Sequence, residues 1–418
     1  MRLHDLGADA TAAEIRALTP HPRDVEADVR AIVDEVRAGG DAALARLTER
    51  FDGVELPPGG LRVAATEIEA AARALDAEVL AGLRTAIANV RAVAEAQLGE
   101  AATVVLPEGQ RVEIAELPVR RVGVYVPAGR AAYPSTLVMA AVTARAAGVD
   151  RIAVCAAPGP DGDVHPAILA ACDLCDVDEL YRIGGAQAVA ALAYGTETVA
   201  PVDVVAGPGS RWVQEAKRQV VGVVGIDGIA GPSELVVVAD GAAHPEPLAL
   251  DLLAQAEHGP DSLVAILSPD AGLLAAVRAA VERMAGERPS VCDAPLALVE
   301  VATADDAVRL ADAIAPEHLE LVGPLSEALA GEVRAAGCLF VGDGAATAFG
   351  DYVAGSNHIL PTGGAARFQS AVSAATFRRR MARVSLPEGA AARLAPRGAP
   401  LARAEGFPVH AESMERRA

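Results

Sequence analysis

Aromatic side chains are scarce in this chain. It has six Phe, five Tyr and one Trp, 3% of 418 residues, against 52% hydrophobic residues overall. A core with so few rings has to be packed by Ala, Val and Leu. Long uncharged apolar runs are missing too, and no segment reaches the roughly 20 residues that a membrane span requires. The N-terminal stretch MRLHDLGADATAAEI carries acids and no apolar core, so it does not read as a signal peptide. Positive charge is in deficit: 36 basic residues face 56 acidic ones, a net charge of −20. That balance argues against binding to nucleic-acid phosphates. Cysteine is sparse and odd in number, at Cys155, Cys172, Cys175, Cys292 and Cys338. Five scattered thiols fit a reducing cytosol better than a disulfide framework. Cys172 and Cys175 form a CxxC, but they fall inside the helical run AILAACDLCDV with no second CxxC to complete a zinc site, so they read as core.

Length is not lacking. A chain of 418 residues is too long for one core, so two or more domains are expected. Residues 24–51 read as two helices and 66–98 as one long Ala-rich helix. From Pro118 the texture changes, and strand-like runs (VGVYVP, RIAVCAA, ELYRI, VDVVAG) alternate with helical ones to about Ser233. Such alternation marks a parallel sheet with crossover helices. A second alternating block follows from LVVVA to CLFVG, with helices predicted over 272–285, 304–314 and 325–335. The predicted fold class is therefore α/β, with two Rossmann-like parallel-sheet domains of similar make-up, N-terminal helices and a C-terminal helical tail. The expected division is an N-terminal segment 1–19, a discontinuous domain of 20–117 with 234–375, a domain of 118–233 and a tail of 376–418. The tail turns basic and loses strand patterning.

Chemistry concentrates in a few places. In the helix ending AQAEHGPDS, Gln255 and His258 are three residues apart and share a face, and Gly259-Pro260 stops the helix behind them. An imidazole beside an amide oxygen at a helix end suits a metal such as zinc. It equally suits a lone histidine complementing the helix dipole. Glu317-His318 follows Pro316, which predicts the first turn of a short helix whose positive end keeps His318 neutral. The same two residues also fit an acid–base pair on a solvated turn. Asp351 follows a glycine, as turn residues often do, but His358 follows in the same loop. Neither block carries GxGxxG after its first strand. Gly207-Pro208-Gly209-Ser210 comes closest, with Ser210 a candidate N-cap for the helix over 211–220, and it does not by itself identify a dinucleotide. His4, His21, His165 and His244 have no companions and read as surface residues in loops or at helix starts.

Five segments (GPSE at 231–234, QAEHGPDS, APEH at 315–318, GDY with GSNH at 350–358, and Glu405 with His410) occur in one order along the chain. In that order and register, from about residue 20 to the end, the sequence resembles the histidinol dehydrogenase family. The resemblance implies a zinc- and NAD-dependent oxidation of histidinol to the aldehyde and then to histidine, the last two steps of histidine biosynthesis, with two NAD consumed. It implies that Glu317 and His318 are catalytic. His318 would be the base of both oxidations and Glu317 would help activate the water that hydrates the aldehyde. It places one zinc on Gln255, His258, Asp351 and His410. Those four, with Ser233, His318, His358 and Glu405, would contact the substrate. Tyr125, Gln187 and Ser210 match the NAD contacts, although the family usually has Asn where this chain has Ser210. It further implies a cytoplasmic homodimer in which each tail completes the partner's active site.

Two rival readings differ in kind. A paralogue of the same fold would oxidise another polar alcohol, such as a sulfonated diol, and Glu405 would be the residue expected to change. A non-catalytic metal-binding relic would be expected to lose Glu317 or His318. All three residues are present.

Overall fold

A computed structural model describes residues 1–19, 24–127 and 131–418; His21 lies outside the described residues. The chain opens with strand β1 (Arg2–Leu6) and helix α1 (Ala12–Arg16). Thr11 starts α1 as a capping box, its hydroxyl accepting the Glu14 N–H while the Glu14 carboxylate accepts the Thr11 N–H. The two helices predicted over 24–51 form α2 (Glu26–Asp52), bent at Gly40, where φ is 51° and ψ −137°. A Cβ at Gly40 would also strike the Glu197 carboxylate, whose Oε2 accepts the Asp41 N–H at 2.8 Å. The single helix predicted over 66–98 is two, α3 (Ala65–Ala74) and α4 (Ala77–Ala96). Asp76 separates them, accepting the N–H groups of Glu78 and Val79 as an N-cap. In sequence that Asp looks like any exposed acid on a helix.

Strands β2 (Ala102–Val105) and β3 (Arg111–Pro118) lead into the first alternating block. It runs β4 (Arg121–Val126), α5 (Pro134–Ala146), β5 (Arg151–Ala156), α6 (Pro166–Leu174), β6 (Glu179–Arg182), α7 (Gly185–Tyr194), β7 (Val204–Ala206), α8 (Arg211–Val220) and β8 (Gly225–Ile226). The sheet is parallel, in the order β6-β5-β4-β7-β8. Strand order therefore reverses beside β4.

The N-terminal helices, predicted to pack on the later block, instead cover this sheet. Val29, Val33, Leu44 and Leu47 of α2 join the core of α7 and α8, while Leu83, Ala86 and Val90 of α4 join that of α5 and α6. The Ala-rich faces of α5 and α7 let these outer helices approach closely. Residues 1–19, expected as a separate segment, join the later block, where β1 pairs with its sheet and Ile15 with its core.

That block runs β9 (Glu234–Ala239), α9 (Pro245–Glu257), β10 (Leu263–Ser268), α10 (Ala271–Ala285), β11 (Pro295–Glu300), α11 (Ala304–Ile314), β12 (His318–Val322), α12 (Pro324–Glu327) and β13 (Cys338–Val341). Its parallel sheet has the order β1-β11-β10-β9-β12-β13. Apart from the added edge strand β1, this is the first block's topology repeated, with the reversal beside β9. The helix predicted over 325–335 is only α12 and a single 3-10 turn, Ala330–Glu332. Gly331 in mid-run disfavours a longer helix.

The chain continues through α13 (Thr347–Tyr352), β14 (Arg378–Ser385), α14 (Ala390–Ala404) and α15 (Pro408–Glu415). The tail is not wholly helical. β14 pairs antiparallel with β3 from Arg378 opposite Pro118 to Ser385 opposite Arg111. Nearly all of β14 is exposed, so it shows none of the inside–outside alternation that betrays a strand. Beyond it, α14 and α15 close a hairpin on Ala399, Ala402 and Ala411, held by Arg403–Glu415 at 2.7 Å. No helix among the described residues is long and apolar enough to cross a membrane.

Candidate functional site

The two sheets face each other with opposite ends. The chain leaves the carboxyl ends of β4 and β7 at Pro127 and at Pro208–Ser210. It enters the amino ends of β9 and β12 at Ser233 and at Glu317–His318. These residues, with His258, Asp351 and His358, line one cleft of about 380 Å³. The first sheet's half of the cleft follows a strand-order reversal, the position where open parallel sheets bind ligands.

Glu317 and His318 enter a strand, not the short helix predicted for them. His318 pairs in register with Leu235 of β9 and Cys338 of β13, so strand pairing decides the local structure over the Pro signal. Both side chains are buried. Glu317 Oε2 accepts from Ser233 Oγ at 2.7 Å and from the Glu234 N–H at 2.8 Å. Burial pushes the Glu317 carboxyl up to about 7, against the lowering effect of His318 and these hydrogen bonds. His318 Nδ1 lies 2.9 Å from the Glu234 carbonyl and must donate to it, which leaves Nε2 as the free nitrogen. Nε2 faces Asp351 Oδ1 at 3.6 Å. Burial lowers the His318 pKa, but Glu317, Asp351 and the Glu234 carbonyl outweigh it and push it up to about 9. The helix end predicted to keep this imidazole neutral is absent, and two carboxylates face it instead.

His258 closes α9 as its C-cap, where unpaired carbonyls favour a cation. Its ring opens on the cleft, yet the surrounding walls lower its pKa. Burial raises the Asp351 carboxyl, but His318, His358 and His258 around it hold it below its ordinary value. His358 is fixed at both nitrogens: Nδ1 donates to the Asp351 carbonyl at 2.8 Å, and Nε2 accepts from Thr136 Oγ1 at 3.1 Å. Burial lowers its pKa, in keeping with that neutral tautomer. Gln255 is buried behind Ser233, its Nε2 donating to Ser233 Oγ at 2.8 Å, so the amide oxygen is the end left uncommitted. An imidazole, a carboxylate and an amide oxygen form a donor set that suits zinc. Among the described residues, however, no three His, Cys, Asp or Glu side chains stand together as a ready cluster. The donors of this one chain fit as an incomplete set.

Of the predicted cofactor residues, Ser210 lines the cleft and is the N-cap residue of α8, though its hydroxyl caps no N–H. Tyr125 and Gln187 are buried nearby. The Tyr125 hydroxyl accepts the Gly185 N–H at 3.2 Å, and burial pushes its pKa to about 12, so it remains a neutral phenol. At Gly207, φ is 128° and a Cβ would lie 2.1 Å from the Tyr125 carbonyl, so only glycine lets this turn close over β4. Pro208, Gly209 and Ser210 of this turn line the cleft.

Glu405 and His410 do not join the site of their own chain. Both are exposed on the α14–α15 hairpin, with His410 stacked on Phe407 at 5.1 Å between centroids. Cys172 and Cys175 are buried thiols with raised pKa values, as core residues should be. His165 and His244 are exposed helix N-caps, whereas His4 lies half-buried in β1 and not in a loop. Thr136, Tyr133 and Thr362 line the cleft without having been singled out, and Glu234 holds the Glu317–His318 couple. Glu234 stands inside the GPSE motif; the others carry no sequence signal.

A family model for histidinol dehydrogenase matches residues 18–418. The chain is 44% identical over 398 residues to the histidinol dehydrogenase of Gluconobacter oxydans, covering 94% of this chain and 92% of that one. With the histidinol dehydrogenase of Rhodopseudomonas palustris the identity is 43% over 424 residues, 99% of this chain and 98% of the relative. The crystal structure of histidinol dehydrogenase from Elizabethkingia anophelis superposes with a TM-score of 0.92 at 30% identity, covering 100% and 98% of the two chains.

Proposed function

The chain belongs to the histidinol dehydrogenase family, and from that premise we propose that it oxidises L-histidinol through L-histidinaldehyde to L-histidine, with two NAD and one zinc ion per site. This would be the end of histidine biosynthesis. The observation that carries the reading is the buried Glu317–His318 couple facing His258 and Asp351 in one cleft that also receives the Gly207–Ser210 turn.

Gln255, His258, Asp351 and His410 would hold the zinc, which would supply a Lewis acid for the alcohol. Tyr125, Gln187 and Ser210 would hold NAD, which would supply the hydride acceptor. With the Asp351 charge committed to the metal, His318 would be neutral, its Nδ1–H held by the Glu234 carbonyl and its Nε2 open to take the alcohol proton and later that of the hydrated aldehyde. Glu317 Oε2 is taken up by Ser233 and the Glu234 N–H, leaving Oε1 to orient the hydrating water. Ser233, His358 and the tail carboxylate Glu405 read the substrate, and a carboxylate suits its imidazole and amine. Glu405 and His410 are supplied by the neighbouring subunit of a homodimer, in keeping with their exposure away from their own cleft. The buried thiols Cys155, Cys172 and Cys175 agree with a cytoplasmic location.

The test measures zinc content and NAD-coupled turnover of histidinol in the purified protein and in His258→Ala. The expected result is about one zinc per chain and turnover of histidinol, both lost in the variant. Equal zinc in the two preparations would remove the metal assignment. Zinc without turnover of histidinol would remove the substrate.

A further inference from the structure

We infer that Arg16 and Glu234 are positioning residues for the Glu317–His318 couple; the inference rests on the activity proposed above. Glu234 grips the couple with every polar group it has. Its N–H donates to Glu317 Oε2 at 2.8 Å and its carbonyl accepts from His318 Nδ1 at 2.9 Å. Its carboxylate accepts the Glu317 N–H at 3.3 Å and the Gly363 N–H at 2.9 Å. That carboxylate is buried in the interior and would carry an uncompensated charge but for Arg16. The Arg16 guanidinium meets Glu234 Oε1 at 2.8 Å and Oε2 at 3.3 Å, and its Nη2 also donates to the Ile314 carbonyl. Ile314 ends α11, three residues before Glu317. One planar guanidinium therefore spans both sides of the couple: the end of the helix that delivers Glu317 and the residue that orients both side chains. Lysine could not make that fork. Arg16 comes from α1, two residues ahead of the region the family model matches. Neither residue reaches the reacting atoms, so both act through Glu317 and His318.

Steady-state kinetics of Arg16→Met and Arg16→Lys test the idea, together with a crystal structure of Arg16→Met. The expected result is a kcat lower by about ten- to a hundredfold in Arg16→Met, the usual scale for a lost orienting partner. The KM values for histidinol and NAD should stay within about threefold of wild type, and Arg16→Lys should fall in between. The crystal structure should show Glu317 or His318 displaced. A kcat within about threefold of wild type, a loss carried by KM, or an unmoved couple would overturn the inference. If Arg16→Met does not fold, Glu234→Gln makes the same comparison, since its backbone bonds to both side chains remain. Wild-type turnover of histidinol decides the proposed activity separately, and the crystal structure judges the positioning role whatever the substrate proves to be.

Discussion

At Glu317, burial raises the carboxyl while Ser233 and the Glu234 N–H stabilise its ionised form, and the balance leaves it near neutrality. A carboxyl so poised can take and return a proton during hydration of an aldehyde, whereas hydride removal from the alcohol has less need of it. Glu317→Gln should therefore slow oxidation of histidinaldehyde by about a hundredfold or more while leaving oxidation of histidinol within about tenfold. Equal loss of both steps, measured from each substrate in turn, would mean that the roles are not divided. Asp52 offers a simpler titration away from the metal residues. Its Oδ2 finds no hydrogen-bond partner among the described residues, and burial raises its pKa from 3.8 to about 6. Between those values the folded chain holds a proton that the unfolded chain releases, so this group's contribution to stability falls as pH rises. Asp52→Asn abolishes that dependence. Its melting temperature relative to wild type should be higher at pH 7 than at pH 4, and a constant difference between the two would contradict the shift.

Elements hold the Gly207–Ser210 turn as firmly as residues hold the Glu317–His318 couple. Lys217 of α8 and Asp227 just after β8 form a buried ion pair at 2.5 Å. Lys217 Nζ donates to the Gly207 carbonyl at 3.0 Å, and Asp227 Oδ2 accepts the Gly207 N–H at 2.8 Å. Both backbone groups of the turn are thus tied to one helix and one strand. Lys217→Met strands the Asp227 charge and should cost about 3–5 kcal/mol in urea unfolding. It should also raise the KM for NAD more than that for histidinol; equal effects would detach this pair from the cofactor.

Such ties were invisible in the sequence, where Lys217 and Asp227 are ordinary charges. The alternation of VGVYVP, RIAVCAA and their helices was legible because buried parallel strands and amphipathic helices impose periods on the sequence itself. The exposed strands β2, β3 and β14 impose none. In the site, His258 and Glu317-His318 could be found from local residue chemistry. Asp351 and Ser233 needed the family pattern, because their partners lie far away in sequence.

On the scale of the whole molecule, the body carries nearly every part of the proposed site, and the proposal assigns the rest to the tail. β14 anchors the tail to its own chain along β3, while Glu405 and His410 stand exposed beyond it. If tails act on the neighbouring subunit, mixing His258→Ala with His410→Ala under exchange restores activity, because one of the two sites in each mixed dimer is wholly wild-type. If tails act within their own chain, every site keeps a lesion and nothing returns. Co-purification of differently tagged chains establishes the exchange, and silence despite proven exchange would discard the swapped tail.

The anchored arm with its distant tip has a consequence for inheritance. If the tail acts on the neighbouring subunit, damaging alleles fall into two groups by where they strike, and an arm allele and a body allele carried in the same cell would rescue each other. Random pairing of equal amounts makes half the dimers mixed, so about a quarter of all sites are intact. Two alleles from the same group would rescue nothing, and under the proposed function the cell would depend on supplied histidine.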